Sequence, residues 1–160
     1  MDNETELLAQ RVGELLSVGG CTVTTAESCT GGGVASAITA VPGCSQWFNS
    51  GYITYANQAK QSILGVSPAL VSQQGAVSEH VVTAMALGAA EKASADYAVA
   101  VSGVAGPSGG TERTPVGTVW FACAGPQGVT AKKHRIEGDR DYVRATSVKI
   151  SLQQLLHQLE

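Results

Sequence analysis

Two stretches of the 160-residue chain carry side chains that together could open an amide bond. The first is Ala26-Glu27-Ser28-Cys29-Thr30-Gly31-Gly32-Gly33, where a carboxylate, a hydroxyl, a thiol and a second hydroxyl precede three glycines. The second is Tyr55 followed by Lys60. A serine hydroxyl is a weak nucleophile until a neighbouring base takes its proton, and a neutral lysine can be that base. Glycines let backbone approach a ligand closely, and a helix that starts among them points unpaired N–H groups outward, where a developing oxyanion could be held. Competing readings exist for each group. Ser28 or Thr30 could simply cap a helix. Cys29 could be the nucleophile in place of Ser28, thiolates being intrinsically better at it. Lys60 could be an ordinary solvated lysine.

The elements around these stretches are those that place side chains at the ends of strands. Thr22 to Thr25 is short and β-branched and predicts a strand, and Val34 to Ala40 predicts a helix. Gly51 to Tyr55 predicts a second strand. Asn57 is a suitable N-cap for a helix through Lys60 to Leu64, which would put Lys60 in a first turn. There the helix dipole disfavours a second positive charge, and burial would depress the lysine pKa further. Glu4 to Val18, Ser78 onward and Asp139 onward have helical spacing. Asp96 to Ser102 and Val116 to Ala124 are apolar on both faces, as covered strands are. Val129 to Ile136 is more polar and reads as nearer an edge. The Gly125-Pro126-Gln127-Gly128 turn is too short for a crossover, so the last two strands pair antiparallel. The alternation predicts a three-layer α/β/α sandwich with a mixed, mostly parallel sheet, in one domain over residues 1–160.

Two further groups could bind a substrate. Ser102 to Thr111 follows a buried strand, is rich in glycine and hydroxyls, and could offer backbone N–H groups to phosphate or sugar oxygens. It lacks the Gly-Lys-Ser/Thr of a Walker loop. Arg140 and Arg144 lie one helical turn apart and could grip a phosphate, or could pair internally with Asp139 or Asp141.

Composition narrows the classes. At 44% hydrophobic and 14% charged the chain can fill a core and is not a disordered segment. A net charge of −3 disfavours non-specific nucleic-acid binding. Cys21, Cys29, Cys44 and Cys123 form no Cys-x-x-Cys pair, so zinc is not expected. Met1 to Glu6 is acidic and polar rather than a signal peptide, and no apolar run is long enough for a membrane span. A cytoplasmic location with reduced thiols is the simplest expectation.

Six ordered blocks then carry a resemblance: Thr25 to Gly32; Tyr55 with Asn57 and Lys60; Gly75-Ala76-Val77-Ser78; Ser102 to Pro107; Pro115-Val116-Gly117-Thr118-Val119; and Gly138-Asp139-Arg140. From its first helix to its last, the chain resembles the C-terminal domain of the competence-damage protein CinA, a family that includes stand-alone nicotinamide-nucleotide amidases. The resemblance implies deamidation of nicotinamide mononucleotide to nicotinate mononucleotide and ammonia, without metal or other cofactor, by a homo-oligomer, with a dimer favoured. It implies Ser28 as nucleophile, with Lys60 and Tyr55 as its catalytic partners. With the residue reading it gives an expected substrate-binding set of Glu27, Thr30, Gly31, Gly32, Ser102, Gly103, Ala105, Gly106, Arg113, Arg140 and Arg144. The family often has lysine before Pro-Val-Gly-Thr, whereas this chain has Thr114, with Arg113 beside it as the available substitute. A non-catalytic nucleotide-binding module is the alternative, because glycine-rich loops also serve binding alone.

Overall fold

Side-chain size alternates along the central strands, and this decides how the layers pack. The computed structural model describes residues 1–160. Its strands are β1 (Val23–Glu27), β2 (Tyr52–Ile53), β3 (Tyr97–Gly103), β4 (Thr118–Gly125) and β5 (Gly128–Arg135), in the sheet order β2-β1-β3-β4-β5. Its helices are α1 (Asn3–Gly19), α2 (Gly33–Thr39), α3 (Asn57–Leu64), α4 (Pro68–Gln74), α5 (Glu79–Ala93) and α6 (Arg140–Leu159). On one face of the sheet Val99, Val101, Val119, Phe121 and Cys123 meet α1, α2 and α6. On the other, Ala26, Ala98, Ala100, Ala122 and Ala124 meet α3, α4 and α5. The alanine face lets α5 lie close to the strands, and Val81, Val82, Met85, Ala86 and Ala89 of α5 are buried there.

The three-layer α/β/α expectation holds, with a mixed sheet. β1 pairs in parallel with β2 and β3, while β4 pairs antiparallel with β3 and β5, so four of the five strands point the same way. Boundaries shift in instructive ways. β1 runs on to Glu27 because β3 continues to pair with it through Val101. β2 is only Tyr52–Ile53, so Tyr55 lies beyond its end. Ala56, not Asn57, is the N-cap of α3 and makes no side-chain cap, so Lys60 is one residue deeper in the helix than expected. Its N–H is already bonded to the Ala56 carbonyl at 3.1 Å. Asp139 caps α6 as expected, its Oδ1 accepting from the Tyr142 N–H at 2.8 Å.

The helix carrying Lys60 is fixed by a close crossing. Gly88 of α5 faces the Leu64 carbonyl at the end of α3, and a Cβ at position 88 would collide with that backbone oxygen. Backbone cannot swing aside as a long side chain can. Gly88→Ala is therefore expected to destabilise the protein by about 1–3 kcal/mol, measured as a lower urea midpoint with an unchanged slope.

Candidate active site

Ser28 follows directly on β1, and its backbone N–H is fixed to the Val101 carbonyl of β3 at 3.0 Å. Its hydroxyl meets Lys60, which reaches it from α3 on the alanine side of the sheet. Lys60 Nζ lies 3.2 Å from Ser28 Oγ, 3.0 Å from the Thr54 carbonyl and 2.9 Å from the Tyr55 carbonyl. Ser28 is 7% exposed and Lys60 only 1%. No carboxylate pairs with Lys60; the ion pairs of the chain involve Arg11 and Lys149 alone. Burial is the larger influence and pulls the Lys60 pKa below its usual 10.5, against a smaller opposing pull from the nearby Cys29 thiol.

The count of donors fits a base. As an ammonium, Lys60 donates to all three oxygens. As a neutral amine it has two N–H groups for the two carbonyls and one lone pair left for the Ser28 hydroxyl. The alternative acceptor for that hydroxyl, the Tyr55 carbonyl, is farther away at 3.4 Å.

The turn after Ser28 is held from below by Glu27. This carboxylate is 1% exposed; Oε1 accepts from Thr30 Oγ1 at 2.6 Å and from the Val34 N–H at 2.9 Å, and Oε2 accepts from the Ala35 N–H at 3.0 Å. Glu27 thus occupies the start of α2 as a helix cap supplied from a strand, favoured by the positive helix end. All these bonds run to the protein, and they position the turn. Ser28 and Thr30 do not cap α2, whose N-cap is Gly32 at φ 101°, a conformation that favours glycine. Within the turn the Gly31 and Gly33 N–H groups bond to the Ser28 and Thr30 carbonyls, whereas those of Cys29, Thr30 and Gly32 have no acceptor in the protein.

Cys29 points away from this chemistry. It is 3% exposed in the core with α2 and α6, and burial pushes its thiol up to about 11. A thiol so held is a poor source of thiolate.

The remaining expected residues divide by what they touch. Arg144 donates to the Cys29 carbonyl at 3.1 Å and the Thr30 carbonyl at 3.4 Å, so it clasps the nucleophile turn. Arg140 donates to the Gly106 carbonyl at 2.8 Å and to Tyr55 Oη at 3.2 Å. Neither arginine pairs with Asp139 or Asp141, and both charges stay unneutralised. Tyr55 reaches Lys60 through its carbonyl, and the residue as a whole is 56% exposed. Ser102 Oγ is buried and donates to the Ala76 carbonyl at 2.9 Å. A side chain at Gly103 would collide with Val119, Ala105 belongs to the core, and Gly106 packs on Val116. These four residues build the loop, and their polar side-chain and steric features already have protein partners. Arg113 is exposed, apart from the Ser28–Lys60 pair, in a cleft described below. Sequence reasoning missed the two carbonyls that hold Lys60 and the capping role of Glu27; the Glu-x-x-Thr spacing of Glu27 and Thr30 was the available signal for the latter.

The family model described as CinA C-terminal domain matches residues 5–159. "Nicotinamide-nucleotide amidohydrolase PncC" of Escherichia coli K12 is 51% identical over 158 residues, covering 98% of this chain and 96% of that protein. The protein of the same name from Pseudomonas putida is 52% identical over 149 residues, covering 93% of each. Among solved structures, the competence/damage inducible protein CihA from Agrobacterium tumefaciens superposes with a TM-score of 0.98 at 37% identity, covering 100% of this chain and 98% of that one. On sequence, fold and the extent of both matches, the chain belongs to the CinA C-terminal domain family.

Proposed function

We infer that this protein hydrolyses the carboxamide of nicotinamide mononucleotide, releasing ammonia and nicotinate mononucleotide, with Ser28 as nucleophile and Lys60 as base. The observation that carries the mechanism is the buried Lys60–Ser28 contact at 3.2 Å with no carboxylate on the lysine. The relatives' printed names and their near-complete coverage support the substrate. The family match over 5–159 supports reading residues 1–160 as one amidase domain.

In this reading neutral Lys60 takes the Ser28 proton as Oγ attacks the carboxamide carbon. The free N–H groups of Thr30 and Gly32 hold the oxyanion; losing one such donor costs about 3–4 kcal/mol in the barrier. Lys60 returns the proton to the departing ammonia. Water then releases nicotinate mononucleotide from the acyl-serine, again with Lys60 as base. Arg140 and Arg144 supply the unneutralised charge for the substrate phosphate. The Tyr55 ring offers an apolar face at the mouth, and its carbonyl orients Lys60.

The test is to follow both products from nicotinamide mononucleotide in chelator-treated buffer. Equal amounts of ammonia and nicotinate mononucleotide are expected, and a folded protein that binds the nucleotide but releases neither would establish the binding-module alternative. Two variants separate roles. Tyr55→Phe keeps the carbonyl and ring and is expected to hold kcat within roughly threefold of wild type, whereas a phenol that moves protons would make it far slower. Arg140→Ala is expected mainly to raise KM. Arg144→Ala is expected to raise KM and also lower kcat, because the nucleophile turn loses its clasp; steady-state kinetics distinguishes the two.

We also place the protein in the cytoplasm as a homo-oligomer, a dimer being favoured. No helix is long and apolar enough to cross a membrane, and Ile53, Tyr55, Ile63 and Leu87 are large apolar side chains left exposed.

A further inference from the structure

A second cleft opens at the same end of the sheet as Ser28 but does not include Ser28 or Lys60. Its volume is about 700 Å³, within the range of small-molecule sites. The floor follows from strand register. Ser102, Trp120 and Lys133 are cross-strand partners on β3, β4 and β5, so their side chains share the face that α5 covers further down. α5 begins only at Glu79, and near its start the half-buried Trp120 and the exposed Lys133 line the cleft. The segment from Ser72 to His80 forms one wall, and the loop from Val104 to Thr114 forms the other.

The lining is cationic. Arg113 and Lys133 both face the cleft, and neither makes an ion pair. Glu79 is the only carboxylate in the lining, and His80 stands beside it. Lys133 Nζ sits 6.0 Å from the centre of the Trp120 ring, so a cation and an aromatic surface occur together on the floor. Hydroxyls of Ser72, Thr111 and Thr114 line the rim. Two unneutralised cations select an anion, and an indole selects a flat ring.

Both walls lead to the Ser28 site. Ser102 Oγ holds the Ala76 carbonyl of one wall, and Ser102 follows Val101, whose carbonyl fixes the Ser28 N–H. The other wall continues to Gly106, whose carbonyl is held by the same Arg140 guanidinium that holds Tyr55 Oη.

We propose that this cleft is a second, non-catalytic site for a nucleoside monophosphate, bound through Arg113, Lys133 and Trp120, and coupled to the Ser28 site through the Val104–Thr114 loop. The phosphate lies between the two cations, and the base lies on the indole. Occupancy pulls on that loop, which continues from the end of β3 whose Val101 carbonyl fixes the Ser28 N–H, so it changes turnover rather than only substrate affinity.

The experiment uses adenosine 5′-monophosphate, which has a base and a phosphate but no carboxamide to hydrolyse. Trp120 is the reporter, since the other tryptophan, Trp47, is buried against Gly13. Titration of the full chain is expected to give saturable quenching with one site per chain. Lys133→Glu is expected to weaken that binding about tenfold or more while leaving kcat and KM measured without the nucleotide unchanged. Adenosine, ribose 5-phosphate and inorganic phosphate each lack part of the match and are expected to bind more weakly. In amidase assays the nucleotide is expected to change kcat. Purely competitive inhibition, unaltered affinity in Lys133→Glu, or inorganic phosphate binding as well as the nucleotide would each overturn the proposal. The fluorescence arm does not depend on catalysis, so its outcome stands even if nicotinamide mononucleotide is not hydrolysed.

Discussion

Lys60→Met is expected to lower turnover on the order of 10³–10⁴-fold while leaving a folded protein. The substitution keeps an unbranched chain of similar length at a position only 1% exposed. It removes the group that takes the Ser28 proton. It also removes a buried amine and leaves the Thr54 and Tyr55 carbonyls without that donor, two effects on stability that oppose each other. Circular dichroism and a urea midpoint close to wild type separate loss of the base from loss of the fold. The pH dependence gives an independent readout. Burial lowers the Lys60 pKa from 10.5, so the wild-type rate is expected to rise with pH as Lys60 loses its proton and then level off. The residual rate of Lys60→Met should lack that rise. Stability carries the same signature. Between the depressed folded pKa and the unfolded value of 10.5, the unfolded chain binds more protons at this site than the folded one. Stability is therefore lost as pH falls through that window and gained as it rises. The wild type should show this slope relative to Lys60→Met, measured by urea unfolding at several pH values.

Glu27→Ala is expected to cost roughly 3–5 kcal/mol of stability and most of the activity. Three donors, Thr30 Oγ1 and the N–H groups of Val34 and Ala35, would lose their acceptor at once inside the protein. The nucleophile turn is anchored by those same bonds, so Ser28 Oγ would no longer be held at Lys60. Glu27→Gln is the informative second variant. It keeps one carbonyl oxygen but turns an NH₂ towards neighbouring donors, so an intermediate loss of stability is expected. A Glu27→Gln protein with a wild-type urea midpoint but no activity would move Glu27 from positioning to chemistry.

The parts of this molecule legible in its sequence are those set by local pattern. Periodicity placed α5 with Val81, Val82, Met85, Ala86, Ala89 and Ala90 inward, of which all but the half-buried Ala90 are fully covered, and Asp139 marked the start of α6. The two-sided apolar runs gave β3 and β4, and the polar alternation of β5 marked an edge. Pairing decided what pattern could not. β2 is reduced to Tyr52–Ile53 because only those residues meet β1, and Tyr55, drawn into a strand by its type, lies outside. The side chain of Asn57 suggested a cap, yet the backbone enters the helix one residue earlier. At the site, residue types pointed to Ser28 and Lys60, but their contact depends on the Gly88–Leu64 crossing, which involves residues distant in the chain. The structural partners of Arg140, Arg144 and Ser102 are mainly backbone carbonyls, which every residue has and no motif announces. The loop rich in glycine and hydroxyls is held by bonds of the same kind, through Ser102 Oγ and the Gly106 carbonyl.

The most direct test of the central claim is ammonia release from nicotinamide mononucleotide by wild type, Ser28→Ala and Cys29→Ala, side by side, with folding checked for each. Turnover by wild type and by Cys29→Ala, with none by folded Ser28→Ala, is the predicted result. Turnover that survives in Ser28→Ala and disappears in Cys29→Ala would contradict it and move the nucleophile one residue along the chain.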